Sequence, residues 1–180
     1  MKKKWMLLFL LVSCLLCSCA GEEIEQYEIM EPRLESDQSM GAAILLDYEG
    51  NDKIVFHGEF GLFVYDTKEE KMLKMLDLKP IGCDTVQGSS CCDVRVTEDG
   101  EEIYISRLEN NEYVDMFVYI WKEDLLYKTA YIQDVPGKTF YDYKENKGVL
   151  TEGSIGEIGY KAGNKEIKLF CELKTGRESR

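Results

Sequence analysis

The amino-acid sequence predicts an all-β protein. About three antiparallel, four-stranded, blade-like repeats are expected, arranged as an incomplete propeller-like stack or a sandwich. Three observations predict it. Between residues 41 and 174, apolar and aromatic residues come in short runs split by turn chemistry, such as Glu49-Gly50-Asn51-Asp52, Glu98-Asp99-Gly100-Glu101 and Ala162-Gly163-Asn164-Lys165. No stretch there sustains the roughly 3.6-residue period of an amphipathic helix. The order of runs also repeats: Leu62-Phe63-Val64-Tyr65 returns as Met116-Phe117-Val118-Tyr119, with Ile158-Gly159-Tyr160 as a weaker echo.

Taken in order, Ala42–Tyr48 with Lys53–His57 and Leu62–Asp66 with Lys71–Leu78 make the first unit. Asp93–Thr97 with Glu102–Arg107 and Met116–Ile120 with Leu125–Ile132 make the second. Thr139–Tyr143 with Gly148–Thr151 and Glu157–Lys161 with Glu166–Leu173 make the third. Lys71–Leu78 is ambiguous, because Leu73 and Leu76 suit one face of a helix; its place in the repeat favours a strand. Such units are built like β-propeller blades, but closed propellers hold ~4–8 of them, so three predict an open arrangement. The strand aromatics, among them Tyr104, Tyr113, Tyr127, Tyr131 and Tyr143, read as β core and cross-strand packing. A stacking surface for sugar or peptide is the functional alternative.

Residues 1–18 read as an export signal. Lys2, Lys3 and Lys4 are followed by the uncharged, mostly apolar run Trp5–Leu16 and by small residues. The run is short for a bilayer span, which needs ~20 apolar residues. The quartet Leu16-Cys17-Ser18-Cys19 resembles a bacterial lipobox, which implies acylation of Cys19 and a membrane anchor. Leu11-Val12-Ser13-Cys14 also fits, but cutting there leaves a very short apolar run, so Cys19 is preferred over Cys14. Residues 19–40 form an acidic tether with room for a short helix around Glu22 to Met30, residues 41–174 the β domain, and 175–180 a flexible C-terminus.

Three of the 22 basic residues lie in the signal. Removing it leaves 19 against 34 acidic ones, and the formal charge moves from −12 to −15. That field excludes nucleic acid as a partner and disfavours docking of the protein surface on anionic lipid. Its plain reading is solubility at a crowded envelope.

Four cysteines remain besides the lipidated one: Cys83, Cys91, Cys92 and Cys171. Outside the cytoplasm an even count favours disulfides. Cys83 and Cys92 bracket a short loop and are the favoured pair, worth roughly 2.7 kcal/mol of chain entropy. Cys91, facing the other way in a strand, is left for Cys171, although spacing does not determine connectivity. A redox pair is the functional alternative, without a CxxC spacing to support it.

No catalytic site or cofactor is expected. The chain has one histidine, His57, so any triad must use it. No GxSxG, SxxK or HExxH accompanies it, and the carboxylates around Gly100 read as a solvated turn. The stretch from "FHGEFGLFVYD" through "LDLKPIGCDTVQGSSCCDV" to "VTEDGEEIYIS", about residues 53–173, resembles an extracytoplasmic β module. That module occurs in the C-terminal part of some Clostridia-type BlaR-family (antirepressor) membrane metallopeptidases and in lipoproteins. The family pattern has Cys at the positions of Cys83 and Cys92, and another residue at Cys91. The resemblance implies a non-catalytic sensing or binding module facing an envelope protein or small ligand. The alternatives are an assembly lipoprotein that completes a partner's propeller, and a small hydrolase using His57.

Overall fold

The computed structural model describes residues 44–59, 61–84, 92–152 and 158–169, together with the backbone of 25–27. The elements are β1 (Glu25–Tyr27), β2 (Leu45–Gly50), β3 (Lys53–His57), β4 (Gly61–Asp66), β5 (Lys71–Asp77), β6 (Cys92–Val96), β7 (Glu102–Glu109), β8 (Glu112–Ile120), β9 (Leu125–Ala130), β10 (Val149–Glu152), β11 (Ile158–Ala162) and β12 (Lys165–Lys168). All pairing is antiparallel. Strands β2–β5 form sheet I and β6–β9 form sheet II, each a simple meander, and β10–β12 form sheet III. The described residues contain no α-helix, only a 3-10 turn at Tyr143–Glu145.

The predicted hairpins form where the turn residues demand them. Asn51 and Asp52 have φ of 53° and 60°, and Asn110 and Asn111 have 52° and 65°. Each pair bridges two strands through a two-residue loop. Two successive left-handed residues give the primed turn whose twist matches that of the strands, and Asn and Asp tolerate that conformation best after glycine. The second hairpin carries β7 and β8 further than the apolar pattern predicts, because its distal half is polar.

Sheet I is the middle of three layers. Its Val55, Leu62, Val64 and Leu76 pack against Val96, Ile103, Ile105, Phe117 and Tyr119 of sheet II, with Leu78 and Ile81 closing the seam. Its other face, Ile54, Phe56, Phe63 and Tyr65, packs against Ile158, Tyr160 and Ile167 of sheet III and the following Leu169. Burial on both faces explains why β3 and β4 read as continuous apolar runs instead of alternating. Each such side chain contributes about 1.5–3 kcal/mol on leaving water. The far face of sheet II, with Tyr104, Met116 and Val118, is covered by Tyr131, Val135 and Phe140 from the chain that follows β9. The result is an open stack in the order III–I–II, with the first unit in the middle.

Two expectations are corrected. Thr139–Tyr143 is not the first strand of the third unit. It lies along β6 through one bridge, Thr97 to Phe140, and through bonds from Glu98 N–H to the Thr139 carbonyl (3.0 Å) and from Tyr141 N–H to the Val96 carbonyl (2.8 Å). Phe140 is held there by an edge contact with Tyr104 (5.1 Å) and by Arg95 over its ring (4.4 Å), so the third unit has three strands. Within the tether, residues 25–27 are a strand rather than a helix, adding to sheet II beside β9 with Glu25 opposite Lys128. The export signal, Cys14 and Cys19 lie outside the described residues.

Candidate functional site

The site begins with an irregularity in β2. Leu46 pairs with Phe56 and Tyr48 with Val55, which leaves Asp47 as the extra residue of a β-bulge. A bulge shifts the alternation by one. Leu46 therefore packs toward sheet III while Tyr48 packs toward sheet II. Asp47 stays on the sheet II side, where His57, the last residue of β3, meets it. His57 Nδ1 donates to Asp47 Oδ2 at 2.7 Å, and the two side chains are 7% and 8% exposed.

Two sulfurs complete the cluster. Cys83 follows a turn after β5, fixed by a bond from its own N–H to the Leu78 carbonyl (2.9 Å). Cys92 opens β6, opposite Arg107 of β7. Both are buried in the seam between sheets I and II. The Cys83 thiol donates to the Ile81 carbonyl at 3.7 Å, and Cys83 and His57 both act on Cys92 to favour its ionised form. The expected Cys83–Cys92 disulfide is not seen among the described residues. Cys91 and Cys171, expected as the second pair, lie outside the described residues.

The electrostatics follow from burial and proximity. Burial pushes Asp47 above the usual carboxylate range, against the pull of His57. Burial is also the largest influence on His57 and would lower it, but the charge and hydrogen bond of Asp47 together carry it above its ordinary value. The pair thus shares one proton and holds it firmly. Cys92 is shifted down, first by the Cys83 hydrogen bond and then, against burial, by His57. Asp93 acts on the cluster from a more exposed position, opposing ionisation of Cys92. Among the described residues no group of three or more His, Cys, Asp and Glu side chains is placed to hold a metal ion.

A second feature is a cleft of about 320 Å³ at one end of sheet I, with Glu49, Asp52, Lys53, Tyr141, Lys147 and Tyr160 in its lining. Glu49 Oε2 shapes it by accepting from the backbone N–H groups of Lys147 (2.6 Å) and Gly148 (2.7 Å). Burial, then Glu49, raises the Tyr160 phenol.

The turn carboxylates near Gly100 have structural work. Asp99 Oδ1 accepts from the Thr97 hydroxyl (2.6 Å) and the Glu101 N–H (3.0 Å), and Glu102 accepts from Tyr104 (2.8 Å) and Lys138 (2.6 Å). They do not join His57. Among the strand aromatics, Tyr104, Phe117, Tyr119 and Trp121 are core, whereas Tyr113 and Tyr143 are exposed. Sequence reasoning singled out His57, Cys83 and Cys92 separately and missed Asp47. The available signal was a lone charge inside the apolar stretch Ile44-Leu45-Leu46-Asp47-Tyr48. The fold and site together define the class: an all-β stack of three antiparallel sheets with a carboxylate–imidazole–dithiol cluster buried in one seam. No protein-family model matches the chain, and no curated protein or solved structure matches it either.

Proposed function

We propose that the chain is a lipid-anchored, extracytoplasmic lipoprotein of the cell envelope, a non-catalytic binding or sensing module held at Cys19. One observation carries this reading. The basic start at Lys2–Lys4, the apolar run Trp5–Leu16 and the quartet ending at Cys19 stand in the order a lipoprotein signal requires. The likeness of residues 53–173 to the modules of BlaR-family metallopeptidases argues for the same role. The stack supports it in physical terms: its apolar faces are consumed by sheet packing, leaving turn ends for recognition. The cleft beside Glu49 is one such end. Its charged rim and its two tyrosines suit a small, polar, hydroxyl-bearing ligand, or a polar segment of an envelope protein.

The test is metabolic labelling of cells with an alkyne fatty acid. Labelling and membrane retention are expected to persist in Cys14→Ala and to vanish in Cys19→Ala. A cytosolic, unlabelled protein that keeps Met1 would overturn the reading. Photo-crosslinking from Lys53 and Lys147 in intact cells then identifies what occupies the cleft.

A further inference from the structure

We propose that β1 fixes the orientation of the domain on the bilayer. The end of sheet II that carries the β7–β8 turn faces the lipid and rests Tyr113, Val114 and Ile132 in a zwitterionic headgroup layer, while the cleft beside Glu49 faces away. The inference rests on the lipid anchor at Cys19 and deepens that reading.

The direction of β1 is the first observation. Glu25 stands opposite Lys128 and Tyr27 opposite Leu126. The chain therefore enters β1 from the side of Ala130, which pairs with Asp115, and runs toward Leu125, which pairs with Ile120. Asp115 lies near the β7–β8 turn, and Ile120 is the opposite end of β8. Six residue steps separate Cys19 from Glu25, at most about 20 Å of chain. Phe117 is level with Lys128, and the five steps from it to Glu112 at the turn span about 17 Å of strand. The anchor thus reaches the level of the turn, and the pairing of β1 leaves only this short link between lipid and domain.

The second observation is what that end exposes. Tyr113 and Ile132 are each 41% exposed, and Val114, the extra residue of a bulge in β8, is 38% exposed. Tyr113 stacks on Tyr131 with ring centroids 4.3 Å apart. A phenol is apolar along its ring and polar at its tip, which suits the boundary between acyl chains and headgroups. The charges beside the patch are largely paired: Arg107 with Glu109 and Asp115, and Lys128 with Asp115. Asp93 accepts from the Tyr113 hydroxyl at 3.4 Å, and Glu112 is exposed at the turn. The remaining charge is negative, so zwitterionic headgroups fit this end and anionic ones do not. Three exposed side chains bind a bilayer weakly by themselves, but an anchor within reach makes the contact intramolecular.

The third observation places the cleft at the far end. Gly50 of its lining and Gly100 of the β6–β7 turn both close on the Tyr48 hydroxyl, and Asn51 donates to the Asp99 carbonyl at 3.5 Å. Strand β7 leaves that turn at Glu102 and reaches the β7–β8 turn at Glu109, eight residues later, a span of about 24 Å. The recognition end is held clear of the headgroups and open to the envelope.

The experiment uses the full lipidated chain in phosphatidylcholine vesicles, some of whose headgroups carry a nitroxide quencher. A fluorescent amino acid replaces Val114 or, as the far-end reference, Glu123 in the turn between β8 and β9. Loss of most of the emission is expected at Val114, with none at Glu123. In the doubly substituted Glu25→Pro, Gln26→Pro chain this contrast should vanish while the anchor is kept. Alternate residues of an antiparallel strand turn their N–H to the neighbour, so two successive prolines remove the donor whichever residue faces β9. The Val114–Glu123 contrast in the otherwise unchanged chain decides the orientation whether or not that variant folds. Fatty-acid labelling of Cys19 is read on the same samples. A labelled, vesicle-bound chain quenched equally at both positions, or more at Glu123, overturns the orientation and leaves the lipoprotein reading standing. A folded proline variant that keeps the contrast overturns the role of β1. An unlabelled chain that stays off the vesicles overturns the lipoprotein reading and this inference with it.

Discussion

Replacing Gly100 by alanine tests the seam between sheets I and II at its tightest point. Gly100 turns the chain between β6 and β7 with φ of +73°, and an ideal Cβ there would lie 2.6 Å from Tyr48 Cζ and 2.8 Å from its hydroxyl oxygen. Tyr48 is 2% exposed and has little room to retreat. Gly50 closes on its hydroxyl end, Tyr141 meets its ring edgewise at 4.9 Å, and the Gly100 carbonyl is itself held by Trp121 Nε1 at 2.8 Å.

Two costs follow for Gly100→Ala. A left-handed conformation costs an L-residue about 1–2 kcal/mol, and overpacking a full core costs about 1–3 kcal/mol more. Gly137→Ala provides the reference, because Gly137 has the same φ of +73° with nothing within 4 Å of an added Cβ. Urea unfolding of both variants, compared at constant m, should show Gly100→Ala losing about 3 kcal/mol and Gly137→Ala about 1 kcal/mol. The difference is the worth of the Tyr48 contact alone. Equal losses in the two variants would refute the claim that Tyr48 is clamped between the turns.

The remaining predictions concern charge. Asp47 and His57 both sit above their ordinary values, so the folded chain holds a proton that the unfolded chain releases. The His57 share of the stabilisation is complete below its unfolded value of 6.5 and is lost as pH rises through its folded value, whereas the Asp47 share is complete only below 3.8 and is lost at the acid end. Urea midpoints should therefore fall from about pH 6.5 upward and the slope should flatten in Asp47→Asn; a rising midpoint would contradict the assignment. The measurement belongs in Cys92→Ser, because the downward-shifted Cys92 contributes with the opposite sign. Glu49→Ala removes a charged acceptor from two backbone N–H groups and should cost about 1.5–3 kcal/mol. Hydrogen exchange at Lys147 and Gly148 should accelerate with it, and unchanged exchange would show that Glu49 does not hold that segment.

How far the sequence discloses the structure depends on where its alternation holds. In β3 and β4 the runs are continuous and flanked by turn residues, so their boundaries are legible to within a residue. Lys71–Leu78 misleads for a specific reason. Val64 pairs with Lys74 and Tyr65 with Met72, leaving Leu73 as an extra residue, and a one-residue slip puts Leu73 and Leu76, three apart, on the same face. That is helical spacing produced by a strand. The third unit lost its first strand because Phe140 finds its partners, Tyr104 and Arg95, in the second unit, and no periodicity reports which sheet a buried ring will face. The stacking order III–I–II is hidden for the same reason: burial patterns say that a residue is covered, not by what.

The buried site combines both obstacles. Its two thiols and its only imidazole are visible as residue types, but they converge only when sheet I is laid on sheet II. Regular pairing at the start of β2, Leu45 with His57 and Leu46 with Phe56, already turns Asp47 to the His57 side, and the bulge brings Tyr48 to that same side after it. A buried carboxylate without a partner would have to take up a proton, so the position of His57 at the end of β3 is what lets Asp47 keep its place. The alternation alone shows Asp47 facing inward; it does not show that the one histidine of the chain lies 2.7 Å away. An Asp47→Leu chain would leave His57 buried without its counter-charge.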